Sequence, residues 1–172
     1  SAGDAAADDR FGNSVAIDGD TIVIGAYLDD DAGYESGSVY VLRTIDGGAT
    51  YDEMAKLTAS DAAAYDRFGA SVAIDGATVV VGAWLDDDSA TNSGSVYVFR
   101  TSDGGATYGQ VAKLTASDAT ADDAFGWRVA IDGDVIVVVA VYDDDAGSSS
   151  GSIYVFRTSD GGANYGQVAK LT

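Results

Sequence analysis

The stretch Phe11-Gly12-Asn13-Ser14-Val15-Ala16-Ile17-Asp18-Gly19, continuing through Thr21-Ile22-Val23-Ile24-Gly25-Ala26, decides the architecture. It returns as residues 68–83 and again as residues 125–140, displaced each time by 57 residues without insertion or deletion. Three such periods fill almost the whole chain of 172 residues. A fixed period of this length marks a repeat array rather than two ordinary domains. The units are read as residues 1–60, 61–117 and 118–172.

Working outward from that stretch, each unit has the pattern of four strands and no apolar spacing that sustains a helix. In the first unit the strands are expected at residues 14–18, 21–26, 37–44 and 53–58, where β-branched and aromatic residues concentrate. Asp18-Gly19, repeated as Asp75-Gly76 and Asp132-Gly133, predicts a tight hairpin between the first two strands. Asp46-Gly47-Gly48 and its copies at 103–105 and 160–162 predict a second hairpin between the last two. The second and third strands, such as Val79-Val80-Val81 and Val96-Tyr97-Val98-Phe99, are apolar on both faces, which implies a sheet covered on both sides. A four-stranded antiparallel sheet that covers both faces with copies of itself is a propeller blade, so the fold class is all-β, three β-propeller blades.

The chain carries 28 acidic residues against 9 basic ones, a formal net charge of −19. Nucleic acid is excluded as a partner, because binding it requires clustered Lys and Arg. With neither Cys nor His, thiol chemistry, imidazole bases and the usual zinc ligands are absent. No apolar run approaches the roughly 20 residues of a spanning helix. The chain opens on Ser1 without Met, which reads as a piece of something longer.

Arg10-Phe11-Gly12-Asn13-Ser14-Val15-Ala16, followed by Gly25-Ala26 and Gly37-Ser38-Val39-Tyr40-Val41, resembles the FG-GAP repeat. That repeat builds the β-propeller of integrin α-subunits and is common in secreted proteins. The resemblance covers all three units and implies an extracellular or cell-surface location. The third unit departs from it, with Val139 at the place of Gly82, Arg128 at that of Ser71 and Ala124 at that of Arg67. In integrins some of these repeats hold calcium in a loop between the first two strands. Here that connection is a bare Asp-Gly turn, so that site does not transfer.

An Asp triplet follows the second strand of every unit. Alternate residues of an extended segment point the same way, so Asp29 and Asp31, Asp86 and Asp88, and Asp143 and Asp145 are candidate ligands for Ca2+. The alternative for each triplet is a solvated acidic loop. The hairpin Thr101-Ser102-Asp103-Gly104-Gly105-Ala106-Thr107-Tyr108 resembles the Asp-box of sialidase-type propellers, where the box is a structural turn; Asp103 is expected to accept backbone N–H bonds with Tyr108 packed beneath. Arg43, Arg100 and Arg157 repeat one position and are expected to pair with nearby Asp residues; the alternative is a carboxylate-binding ring. Trp84 and Trp127 occupy non-equivalent positions, and an exposed Trp127 would mark a contact surface.

These readings converge on a non-catalytic extracellular recognition or structural module serving adhesion, a cell wall or a surface appendage. A calcium- or mineral-binding acidic surface protein is the alternative, and a propeller glycoside hydrolase comes third, because identical repeats supply no unique acid–base pair. The expected partners are a protein or glycan at the cell surface and further blades from the same or neighbouring chains, since three blades are too few to close a ring.

Overall fold

The computed structural model describes residues 3, 4 and 6–172. Twelve strands run in chain order: β1 (Ser14–Asp18), β2 (Thr21–Ala26), β3 (Ser38–Arg43), β4 (Asp52–Leu57), β5 (Ser71–Asp75), β6 (Thr78–Ala83), β7 (Ser95–Arg100), β8 (Gly109–Leu114), β9 (Phe125–Asp132), β10 (Val135–Ala140), β11 (Ser152–Arg157) and β12 (Gly166–Leu171). They form three antiparallel sheets, ordered β1-β2-β3-β4, β5-β6-β7-β8 and β9-β10-β11-β12. The chain is all-β, three propeller blades each made from consecutive strands, and the described residues contain no helix long and apolar enough to cross a membrane.

Local chemistry explains the turns. Asp18 pairs with Thr21, leaving Gly19 and Asp20 as the turn. Gly19 has φ 53° while Asp20 keeps the ordinary sign, the pattern of a type II′ hairpin. The second hairpin is longer, because β3 pairs Arg43 with Asp52 and its register shifts between Val41 and Leu42.

The blades stack head to tail. In β6, Val79 and Val81 pack toward the first blade and Val80 toward the third. All three valines are fully buried, so the middle blade is covered on both faces as expected. The first blade offers Val23 to this interface, and the third offers Ile136 and Val138. The opposite faces of the end blades are open: Val15 and Ile17 are each 65% exposed, and Ile153 and Leu171 are exposed where their counterparts in the other blades are buried.

The Phe-Gly turn of each unit is the joint. Phe68 donates its N–H to Ser36 O of the preceding blade and Gly69 N–H to Gly82 O of its own. A Cβ on Gly25 would come within 2.0 Å of Gly69 O, and one on Gly37 within 2.0 Å of Phe68 O. Only glycine allows two backbones to approach so closely. The third unit has Val139 at the equivalent of Gly25, and there β9 runs longer and the register slips between Val139 and Ala140.

Candidate functional site

Two constellations stand apart from the packed sheets. The first occurs once in each blade, around a lysine. The third blade shows it most fully: Lys170 Nζ donates to Asp118 Oδ2 at 2.8 Å, Asp143 Oδ2 at 2.9 Å and Asp145 Oδ2 at 2.6 Å. Tyr154 Oη lies 2.7 Å from Asp143 Oδ2 and 2.8 Å from Asp118 Oδ1, its one proton shared between the two carboxylates, and Ser152 Oγ donates to Asp143 Oδ1 at 2.8 Å. Lys170 Nζ also lies 4.9 Å from the Tyr154 ring centroid. Lys56 stands likewise among Asp4, Asp29 and Asp31, and Lys113 among Asp61, Asp86 and Asp88.

Burial alone would push the Asp143 carboxyl up. The hydrogen bonds from Lys170, Tyr154 and Ser152 and from the Asp145 N–H outweigh it and hold Asp143 down at about 2. The same balance lowers Asp29. Desolvation opposes the ammonium of Lys113, yet Asp61, Asp88 and Asp86 raise it to about 12. Lys56 and Lys170 are raised further by their carboxylates, and burial raises the phenols of Tyr40 and Tyr154.

The structure thus brings Asp29 and Asp31 together around one cation, and likewise Asp86 with Asp88 and Asp143 with Asp145, and in each case that cation is a lysine ammonium. The loop is not uniformly solvated: Asp29, Asp86 and Asp143 are buried while their neighbours two residues on are exposed. Carboxylate oxygens of Asp4, Asp29 and Asp31 lie within 4.8 Å of one another, a span a metal ion could bridge. The donor set suits calcium in kind, but Lys56 takes the central position and supplies the compensating charge. The lysines and the tyrosines at 40, 97 and 154 were not singled out from sequence. Their signal is that all the chain's lysines fall at one repeated position.

The Asp-box behaves as expected. Asp103 Oδ1 accepts the Thr107 N–H at 2.9 Å, and its carboxylate also accepts from the hydroxyls of Thr101 and Thr107. Those bonds, from Thr107 first, hold the Asp103 carboxyl well below the usual range. Tyr108 packs against the core beneath. The repeated arginines differ from expectation. Arg43 Nη1 donates to the carbonyl of Gly104, in the box of the next blade, instead of to an Asp. Among the described residues Arg43, Arg100 and Arg157 form no ion pair, and Arg43 and Arg100 each lie against the box glycines of the next blade.

The second constellation is not repeated. Where β1, β5 and β9 begin and β2 and β6 end lies a cleft of about 270 Å³ lined by Asn13, Tyr27, Arg67, Trp84, Trp127 and Arg128. The two indoles meet edge to face with centroids 4.8 Å apart. The Arg67 guanidinium lies 5.4 Å from the Trp84 centroid and 5.9 Å from that of Tyr27, and donates to Glu35 at 3.0 Å. Arg128 stands 5.8 Å from the Trp127 ring. Trp84 and Trp127 thus come together although their repeat positions differ.

Among solved structures, the crystal structure of Saccharomyces cerevisiae Sqt1 superposes with a TM-score of 0.58 at 10% identity, over 95% of this chain and 36% of that one. At that identity the likeness speaks to the fold alone, and this chain spans little more than a third of the larger structure. No curated protein matches the chain. The FG-GAP repeat family matches residues 1–42, 51–99 and 108–156. These segments hold every Phe-Gly turn and every close-approach glycine described above, and the chain belongs to the FG-GAP repeat family.

Proposed function

We propose that the chain is a non-catalytic extracellular recognition or structural module, serving adhesion, a cell wall or a surface appendage. The observation that carries this reading is that the repeated reactive groups are committed to the scaffold. Each lysine is neutralised by three carboxylates, each Asp-box carboxylate closes its own hairpin, and Arg43 ties one blade to the next. A hydrolase needs an acid and a base of unlike pKa facing one open space, and the cleft is lined by arginines and aromatic rings. Incubation with cell-surface polysaccharides and a panel of glycoside substrates should give retention of the protein without release of reducing sugar. Sugar release in proportion to protein would overturn the reading.

The open apolar faces support partners in the form of further blades, from the same chain or from neighbouring copies. Asp18 Oδ2 accepts the Gly76 N–H and Asp75 Oδ2 the Gly133 N–H, each at 2.6 Å across a blade junction. Asp132 is the next residue in that series. A second reading, a calcium- or mineral-binding surface protein, draws on the convergence of Asp4, Asp29 and Asp31. It requires the ion to displace the Lys56 ammonium.

A further inference from the structure

The cleft beside the two indoles is built from the positions at which the repeats differ. Asn13, Ala70 and Trp127 share one repeat position; Tyr27, Trp84 and Val141 share another; Ser14, Ser71 and Arg128 a third. The blade accepts a small residue at the first and third of these, so its packing does not demand the Trp127 and Arg128 that line the cleft.

Their chemistry is specific. In a chain with three acidic residues for every basic one, Arg128 has no carboxylate partner among the described residues and donates to its neighbour's backbone, Trp127 O, at 2.8 Å. Arg67 is held between two aromatic rings with its Nη2 already on Glu35 at 3.0 Å, which leaves Arg128 as the guanidinium open to a ligand. A guanidinium aligned in this way presents a fork that matches a carboxylate, and aromatic rings offer apolar surface to the C–H face of a sugar. The volume of about 270 Å³ falls just below that of drug-sized sites and suits a single ring. The net charge of −19 repels a polyanion, which favours an isolated acidic residue in an otherwise neutral glycan.

We propose that the cleft formed by Tyr27, Arg67, Trp84, Trp127 and Arg128 binds an acidic sugar, the carboxylate on the Arg128 guanidinium and the ring against the indoles. This rests on the reading of the chain as a recognition module, and the two fail separately: substrate turnover would overturn that reading, and absence of binding would overturn this one.

Trp84 and Trp127 are the chain's two tryptophans, so intrinsic fluorescence of the full chain reports on the cleft itself. Glucuronate should change the emission, with glucose and acetate each binding at least tenfold more weakly. Arg128→Ser and Trp127→Ala install residues the middle blade already carries at those positions. The first should bring glucuronate binding down to the glucose level, and the second, followed by calorimetry, should abolish it. Arg128→Lys, which keeps the charge but loses the fork, should weaken binding several-fold. The proposal is overturned by no response to millimolar glucuronate, by acetate binding as well as glucuronate, by tighter binding of a short aspartate peptide, or by Arg128→Ser leaving glucuronate binding unchanged.

Discussion

Gly82 faces the carbonyl oxygen of Gly126 so closely that a Cβ built on Gly82 would stand 2.1 Å from it. The contact is backbone to backbone, at the joint between the second and third blades. Neither partner can move aside as a flexible side chain would. The third blade has Val139 at the equivalent position, on its open side.

Gly82→Ala should therefore force the Phe125-Gly126 turn away from β6 and destabilise the array by about 1–3 kcal/mol or more. Val139→Ala, ending on the same residue at the same repeat position, creates no clash and should cost less. Urea titrations of both variants make the check. Equal effects would mean that the close approach is not what holds the joint.

Lys170→Met tests the lysine constellation. It leaves Asp143 buried among hydrogen-bond donors that no longer balance its charge, and breaking one partner of a buried pair costs about 3–5 kcal/mol. A double variant, Lys170→Met with Asp143→Leu, should recover part of that loss. No recovery would mean that Lys170 acts through packing of its stem rather than through its charge.

The carboxylates set the dependence on pH. Asp143 titrates at about 2 in the folded chain, below its unfolded value near 4. Its contribution, on the order of 2 kcal/mol, is present above pH 4 and lost as pH falls through 2. Asp66 has the opposite sign: burial raises it to about 6, although it accepts the Ala63 N–H at 2.6 Å. Its protonated form favours the folded state at low pH, and that contribution disappears as pH rises through 6. Stability governed by these two groups should peak near pH 4 and decline from there to about pH 6, and Asp66→Asn should remove that decline. A decline between about pH 4 and 6 that persists in Asp66→Asn would assign it elsewhere.

Calcium is tested by its effect on melting. Binding to the folded state raises stability by RT ln(1 + [L]/Kd), about 2.7 kcal/mol at a hundredfold excess over Kd. In the parent chain each ammonium competes for the place of the ion, so millimolar calcium should shift the melting temperature little. Lys56→Met frees Asp4, Asp29 and Asp31 and should make the shift measurable. A large shift in the parent, lost on replacing Asp29 and Asp31 by Asn, would favour the calcium reading instead.

Strands and turns were legible because they depend on residues close in sequence: the valines of β6 announce burial on both faces, and Asp18-Gly19 announces its hairpin. The lysine constellations were not, because Lys56 and Asp29 stand 27 residues apart and meet only once β2, β3 and β4 have paired. An ammonium and a calcium ion ask for the same ring of carboxylates, so the triplets alone did not distinguish them. Arg43 escaped for a different reason: its partner, Gly104, lies in the next unit, and reading one repeat at a time supplies partners only from within it. The cleft was half visible, since Trp84 and Trp127 stood out as unequal, but their meeting depends on how adjacent blades stack.

The open faces lead to a prediction about association. One exposes Val15 and Ile17 of the first blade, the other Ile153 and Leu171 of the third. These are the counterparts of the faces that pack at the two internal junctions, so head-to-tail contact between copies is the natural arrangement. At internal junctions a glycine receives the Phe-Gly turn of the incoming blade, as Gly25 receives Gly69. Val139 puts a side chain at that place, so a copy docking on the third blade meets an obstacle where Gly12 would arrive. Light scattering on the full chain should show weak, concentration-dependent self-association, strengthened by Val139→Gly and abolished by Val15→Lys with Ile17→Lys. Association that Val139→Gly leaves unchanged would exclude head-to-tail docking through the joint seen within the chain. A monomer at every concentration, in the parent and in Val139→Gly alike, would remove neighbouring copies as the source of further blades.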